Sequence, residues 1–136
     1  MSLFNKLAGY GSMDNSFEKK LADYMIDGEE IIMGFTFIRD SIVLSNYGIY
    51  MMDVQGITGK KIEVKFFPGK NVKSISFESA STFDLDVDIK IGVDGNSVVG
   101  QSGIPHNAPI SFKVPKQQSE EAKQIVKLVK QCYLVK

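Results

Sequence analysis

Five short stretches of this chain carry residue types that chemistry uses. Gly56-Ile57-Thr58-Gly59-Lys60-Lys61 has the glycines and lysines of a phosphate cradle. A phosphate loop of the Walker type needs four residues between its glycines, then Lys-Ser/Thr opening a helix whose N-terminus holds the anion. Here the spacer is two, no hydroxyl follows the lysines, and a strand pattern comes next. The same glycine spacing serves as a backbone clamp in some RNA-binding modules, but those flank it with helices and a basic groove. The loop reads as a tight connection between strands, with Lys60 and Lys61 available to an acidic partner surface. Asp84-Leu85-Asp86-Val87-Asp88 begins like a calcium loop, yet the sixth position is Ile89 and the twelfth is Gly95 instead of glycine and glutamate. As a strand, the run sets Asp84, Asp86 and Asp88 about 7 Å apart on one face. Each neighbouring repulsion is about 0.6 kcal/mol in water, and cross-strand Lys65 or Lys73 would offset it. That face is either solvated and salt-bridged or an inter-subunit contact.

His106, between Pro105 and Asn107, has no second histidine and no nearby cysteine for a zinc site. A Ser-His-Asp set assembles in space, so spacing does not exclude one, but no nucleophile-elbow signature supports it. Cys132 is the single cysteine, which rules out an internal disulfide and a cysteine cage. It falls on an apolar helical stripe and reads as a packed thiol. Arg39-Asp40 marks a strand turn and reads as a local salt bridge or a contact. No catalytic set, metal or cofactor follows from any of these.

The elements that hold these residues are mostly strands. In Thr82 to Val93, Phe83, Leu85, Val87, Ile89, Ile91 and Val93 alternate with Asp84, Asp86, Asp88 and Lys90. That period of two fits a sheet with one buried face, and a one-residue slip would bury the aspartates. Leu3, Phe4, Leu7 and Ala8 make an amphipathic start that reads as a docked terminus or a subunit contact. Asn15 and Glu18 resemble a capping box, and Phe17, Leu21, Tyr24 and Met25 predict a helix over about 15–27, stopped by Gly28. Strands are expected at 31–38, 41–44, 49–54, 61–67, 72–78, 82–93, 97–101 and 110–114, with 104–109 a loop. Asn46-Tyr47-Gly48 and Asp94-Gly95-Asn96 supply hairpin turns. Ser119 is the expected N-cap of a last helix, with Ala122, Ile125, Val126, Val129, Cys132 and Tyr133 on its apolar stripe. A strand-rich middle closed by such a helix predicts a bent sheet or partly open barrel of about seven strands.

Composition bounds the rest. The 136 residues make one domain, 1–136, divided into an N-terminal segment and helix (1–28), a sheet (30–114) and a capping helix (119–134). Sixteen basic residues balance sixteen acidic ones, so no global field gathers nucleic acid or an anionic membrane. All the basic residues but Arg39 are lysines, which lowers the capacity for forked phosphate recognition. No run of apolar residues is long enough to span a bilayer, and the N-terminus lacks the charge and apolar core of a signal peptide. A reduced, cytoplasmic setting is expected.

Several of these segments together resemble the short bacterial pleckstrin-homology-like domain family: IRDSIVLSN (38–46), DVQGITGKK (53–61) and FESASTFDLDVDIKI (77–91). The similarity is strongest over about 27–94. It implies a PH-like, strongly bent antiparallel sheet of seven strands with a C-terminal capping helix. It also implies ring-forming homo-oligomers, often pentameric, and no catalytic residues. Two departures stand out. Relatives carry a basic Lys-Arg pair where this chain has Tyr47-Gly48, and an Ile-Pro-Tyr step where it reads Phe66-Phe67-Pro68-Gly69. The expected function is a non-enzymatic scaffold or protein-interaction platform, with Arg39, Asp40, Lys60 and Lys61 at contacts and the Asp84/Asp86/Asp88 face second. The alternative is a peripheral anionic-lipid binder acting through lysines multiplied by the ring.

Overall fold

The computed structural model describes residues 16–37, 40–55, 61–78 and 86–135. They fall into two compact units, Met1–Phe66 and Phe67–Lys136.

In the first unit a short helix, α1 (Ser16–Leu21), precedes strands β1 (Ile31–Thr36), β2 (Asp40–Ser45), β3 (Gly48–Gln55) and β4 (Lys61–Pro68), paired in the order β1-β2-β3-β4. β2 is buried over its last four residues and lies inside the sheet, between β1 and β3. Phe17 and Leu21 of α1 join Ile31, Val43, Tyr50 and Met52 in one apolar cluster, with Met25 against it. Gly34 of β1 admits α1: a Cβ there would run into the Phe17 ring. The helix is shorter than the pattern predicts. The Tyr24 and Met25 amides both donate to the Leu21 carbonyl and close the last turn, and Tyr24 and Ile26 are exposed. Of the expected stripe only Phe17 and Leu21 are buried, which supports little more than a turn and a half.

The second unit contains a 3-10 turn (Gly69–Asn71), β5 (Val72–Glu78), β6 (Val87–Val93), β7 (Ser97–Val99), β8 (Pro105–Asn107), β9 (Ile110–Val114), a second 3-10 turn (Lys116–Gln118) and α2 (Ser119–Val129). A π-helical turn, Lys130–Leu134, ends the helix, with the Val135 amide donating to the Lys130 carbonyl at 2.8 Å. β5, β6 and β9 form one antiparallel sheet in the order β5-β6-β9. Ile89, Ile91 and Val93 are buried along β6, as alternation requires. Ala122, Ile125, Leu128, Val129 and Tyr133 form the buried face of the helix and its last turn.

Three expectations change here. The strand foreseen at 82–93 begins at Val87; Asp86 stands before it, and 82–85 lie outside the described residues. The loop foreseen at 104–109 contains β8, which pairs with β7 so that His106 faces Val98. Side chains make this hairpin, not apolar alternation. Asn107 Oδ1 accepts the Asn96 amide and Asn107 Nδ2 donates to the Val93 carbonyl, while Asn96 Nδ2 donates to the Ala108 carbonyl. With this three-residue pair included, the described strands number nine, consistent with the seven or more antiparallel strands expected. Ser119 is the first helical residue and not the N-cap; Gln118 takes that position, and its Nε2 donates to Glu121 Oε2 at 2.9 Å.

Candidate interaction surfaces

Asp40 opens β2 directly across from Asp53 of β3, and its carbonyl accepts the Phe37 amide at 2.8 Å. Lys61 opens β4 and is exposed. β3 and β4 are neighbours joined only by 56–60, a connection that permits antiparallel pairing alone. Asp40 and Lys61 thus come to the same end of one sheet. Arg39, Lys60 and Asp84 lie outside the described residues, so the Arg39–Asp40 salt bridge is not described. In the second unit, Asp86 is exposed and its Oδ1 accepts the Lys116 amide at 3.3 Å. Asp88 pairs with Lys113, its cross-strand neighbour on β9, at 3.7 Å. The expected partners are engaged elsewhere: Lys65 lies 4.0 Å from Glu63 and Lys73 lies 3.8 Å from Asp94. Asp86 sits in the approach to β6 and Asp88 in the strand, each with a different partner.

A polar knot that the sequence does not announce holds the first unit together. Glu29 Oε2 accepts the Ser45 hydroxyl at 2.8 Å and the Tyr50 hydroxyl at 2.7 Å, and Oε1 accepts the Ile26 amide at 3.2 Å. Ser45 Oγ in turn accepts the Tyr47 and Gly48 amides at 3.1 and 3.2 Å. The Asn46 side chain bridges the Glu30 amide and the Gly28 carbonyl. Gly28 has φ +85°, a conformation that favours glycine, and the Tyr47 hydroxyl lies close to where a Cβ would be. This settles how the β2–β3 turn forms: among the described residues no non-glycine takes positive φ, and Ser45 caps the turn instead. The cluster resembles catalytic machinery only in its residue types. The Glu29 carboxylate beside Ser45 already accepts three donors, the Ser45 and Tyr50 hydroxyls and the Ile26 amide, and the Ser45 oxygen is turned to the Tyr47 and Gly48 amides.

Burial first, then the hydrogen bond to Glu29 and its negative charge, push the Tyr50 phenol well above the ordinary tyrosine range. The neutral phenol is therefore the form the fold prefers. Its contribution is complete below the unfolded value near 10 and is lost as pH rises from there towards the raised folded value. In a tyrosinate absorbance titration the native chain is expected to lag the urea-unfolded chain, and Tyr50→Phe to shrink that lag. A lag of equal size in Tyr50→Phe would reassign the shift. Burial likewise raises the Cys132 thiol, which works against a nucleophilic thiolate. His106 is exposed, with Nδ1 3.3 Å from the Ile104 carbonyl. No three histidine, cysteine, aspartate or glutamate residues gather as metal ligands among the described residues.

Two apolar surfaces are open. Ile62, Val64 and Phe66 alternate along β4 with 51%, 42% and 41% exposure, and the Phe66 ring lies 4.7 Å from Tyr50. β4 ends the order of its sheet, so its outer edge has no strand partner among the described residues. In the second unit, Phe77, Val87, Ala122 and Val126 line a groove of about 430 Å³ beside α2, with Ser119, Lys123 and Lys127 around it. Sequence reading placed Val126 in the packed stripe; Leu128 occupies that place, and Val126 is half-buried at the groove. The visible signal was Phe77, a large aromatic residue near the end of the mostly polar segment KSISFE.

Comparison with known proteins agrees with this architecture. Residues 3–132 match the family described as "Bacterial PH domain". An uncharacterized protein of Bacillus subtilis (strain 168), YjqA, is 38% identical over 78 residues, 57% of this chain and 62% of that protein's length. A solved pleckstrin homology domain from Shewanella amazonensis SB2B matches with a TM-score of 0.74 at 23% identity, covering 99% of this chain and 100% of its own. A DUF1696 family protein with a pleckstrin-homology domain from Shewanella loihica PV-4 gives a TM-score of 0.70 at 26% identity, covering 88% and 92%. A PH domain-containing protein from Exiguobacterium sibiricum 255-15 gives 0.61 at 26% identity, and the match spans 88% of this chain and 59% of that one. The fold class is the PH-like one that the sequence implies: mainly antiparallel β with a short N-terminal and a C-terminal helix. This chain belongs to the bacterial PH domain family.

Proposed function

We propose that the chain is a non-enzymatic PH-like module of the cytoplasm that assembles with its own copies into a ring and serves as a scaffold or protein-binding platform. The observation that carries this reading is the outer edge of β4. It combines unpaired strand backbone with the exposed row Ile62, Val64 and Phe66, and such an edge is a template for pairing with another chain. A row of this kind that repeats on every copy supports a heterologous, closing contact. Lys61 begins the same strand, beside Lys60, so charge is available to fix register. The balanced net charge gives the lipid-binding alternative less support. No described helix is long and apolar enough to cross a membrane.

Light scattering on a sizing column, at low and high salt, tests the assembly. A discrete mass near that of a pentamer is expected. Val64→Glu is expected to shift it to monomer, and charge reversal at Lys60 and Lys61 to weaken it most at low salt. A monomer at every salt would overturn the ring. Sedimentation with liposomes that rises with anionic lipid content would favour the lipid reading instead.

A further inference from the structure

We propose that the free edge of β5 and the groove beside it form a docking site for an extended peptide in which apolar and acidic side chains alternate. The site goes beyond the ring reading, because every residue lining it belongs to one chain and one unit.

Three observations converge. First, β5 ends the order of its sheet and has β6 as its only strand partner among the described residues. Lys73, Ser74, Ser76, Phe77 and Glu78 along it are exposed. Alternate residues of such a strand turn their N–H and C=O groups outward, where an added strand satisfies them. Second, the groove lies at the end of that strand, against the first two turns of α2. Its 430 Å³ are enclosed largely by Phe77, Val87, Ala122 and Val126, a volume within the roughly 300–1,000 Å³ of ligand sites. Phe77 is 59% exposed, an apolar ring without a cover. Third, the charge at the groove is positive. Lys123 and Lys127 stand one helical turn apart on α2; Lys123 lies 3.0 Å from Glu120, whereas Lys127 has no acidic partner among the described residues.

These features select the occupant. A small anionic amphiphile would use the groove and Lys127 but leave the strand edge unpaired. A peptide strand uses all three, because its side chains alternate. Those turned towards α2 place an apolar group against Phe77 and Val126, and a carboxylate at the rim meets Lys127.

Panning a phage library of random linear dodecapeptides on the intact chain tests this, followed by fluorescence anisotropy on the enriched peptides. Sequences alternating apolar residues with Asp or Glu are expected. Phe77→Ala is expected to weaken them about tenfold, and Lys127→Glu by about tenfold, with recovery when the peptide's acid is changed to lysine. Both positions are on the surface, so the variants keep the fold. Amides of β5 are expected to gain protection from hydrogen exchange when peptide binds. Each variant is also run on the sizing column, so that a change of assembly is told apart from loss of peptide. No enrichment, binding indifferent to both substitutions, unchanged β5 protection, or binding of decanoate with no peptide selected would each overturn the proposal.

Discussion

Gly34→Ala is expected to destabilise the protein by about 1–3 kcal/mol, although local preference argues the other way. Glycine weakens a strand interior, and on propensity alone a side chain there would gain up to about 1 kcal/mol. Steric exclusion outweighs that gain. Gly34 is buried in β1 opposite Val43, and the Phe17 ring occupies the space a Cβ needs. The ring must move, and with it α1, because buried Phe17 and Leu21 anchor that helix in the apolar cluster. Phe17→Ala alone is expected to cost about 3–5 kcal/mol as a core truncation. In the Gly34→Ala background it costs less, since the contact is already lost. Urea denaturation of the two single variants and the double gives the coupling directly. A neutral or stabilising Gly34→Ala would mean that Phe17 does not pack on β1 in solution.

Ser45→Ala is the second large effect, about 1–3 kcal/mol from buried groups left without partners. The hydroxyl is fully buried and makes three bonds at once: it donates to Glu29 and accepts from the Tyr47 and Gly48 amides. Alanine fits the space but satisfies none of them. The loss falls on the turn between β2 and β3, which carries no positive φ and leans on this hydroxyl for its closure. Glu29→Gln separates the parts. A glutamine oxygen still accepts from Ser45 and Tyr50, so the turn is kept, whereas the negative charge near the phenol is gone. The Tyr50 titration is then expected to move part of the way back, because burial is the largest cause of its shift and survives the change. If Ser45→Ala unfolds at the same urea concentration as the parent, the knot contributes nothing and the packing of Tyr50 alone holds the region.

What was legible in the sequence followed the strength of the local pattern. β9 has the expected bounds because Ile110, Phe112 and Val114 alternate and Pro115 ends them. The buried row of β6 was equally plain. The β7–β8 hairpin was not, since Pro105, His106 and Asn107 offer no alternation and the pairing depends on two asparagine side chains. The partner of Asp88 was missed for a related reason. Lys113 lies across from it only once the register of two strands distant in sequence is known. The knot joins Glu29, Ser45 and Tyr50 over separations of 16 and 21 residues, which no spacing rule spans. The groove arises where α2 leaves Phe77 uncovered, a matter of how a helix lies on a sheet and not of either pattern alone.

The asparagine clasp also sets a hierarchy of motion. β7 and β8 are three residues each, mostly exposed, and their base is held by hydrogen bonds of Asn96 and Asn107 to Val93, Asn96 and Ala108. The neighbouring sheet is held by the buried rows of β6 and β9. Little apolar area is released when the hairpin parts, so it opens at a small fraction of the global free energy while the sheet beside it stays closed. Its tip, Gly100 to Gly103, is the natural place for a protease to nick the chain or for an inserted segment to be accommodated. A cut there would leave β5, β6, β9 and the helix as a continuous folded body, joined across a severed loop.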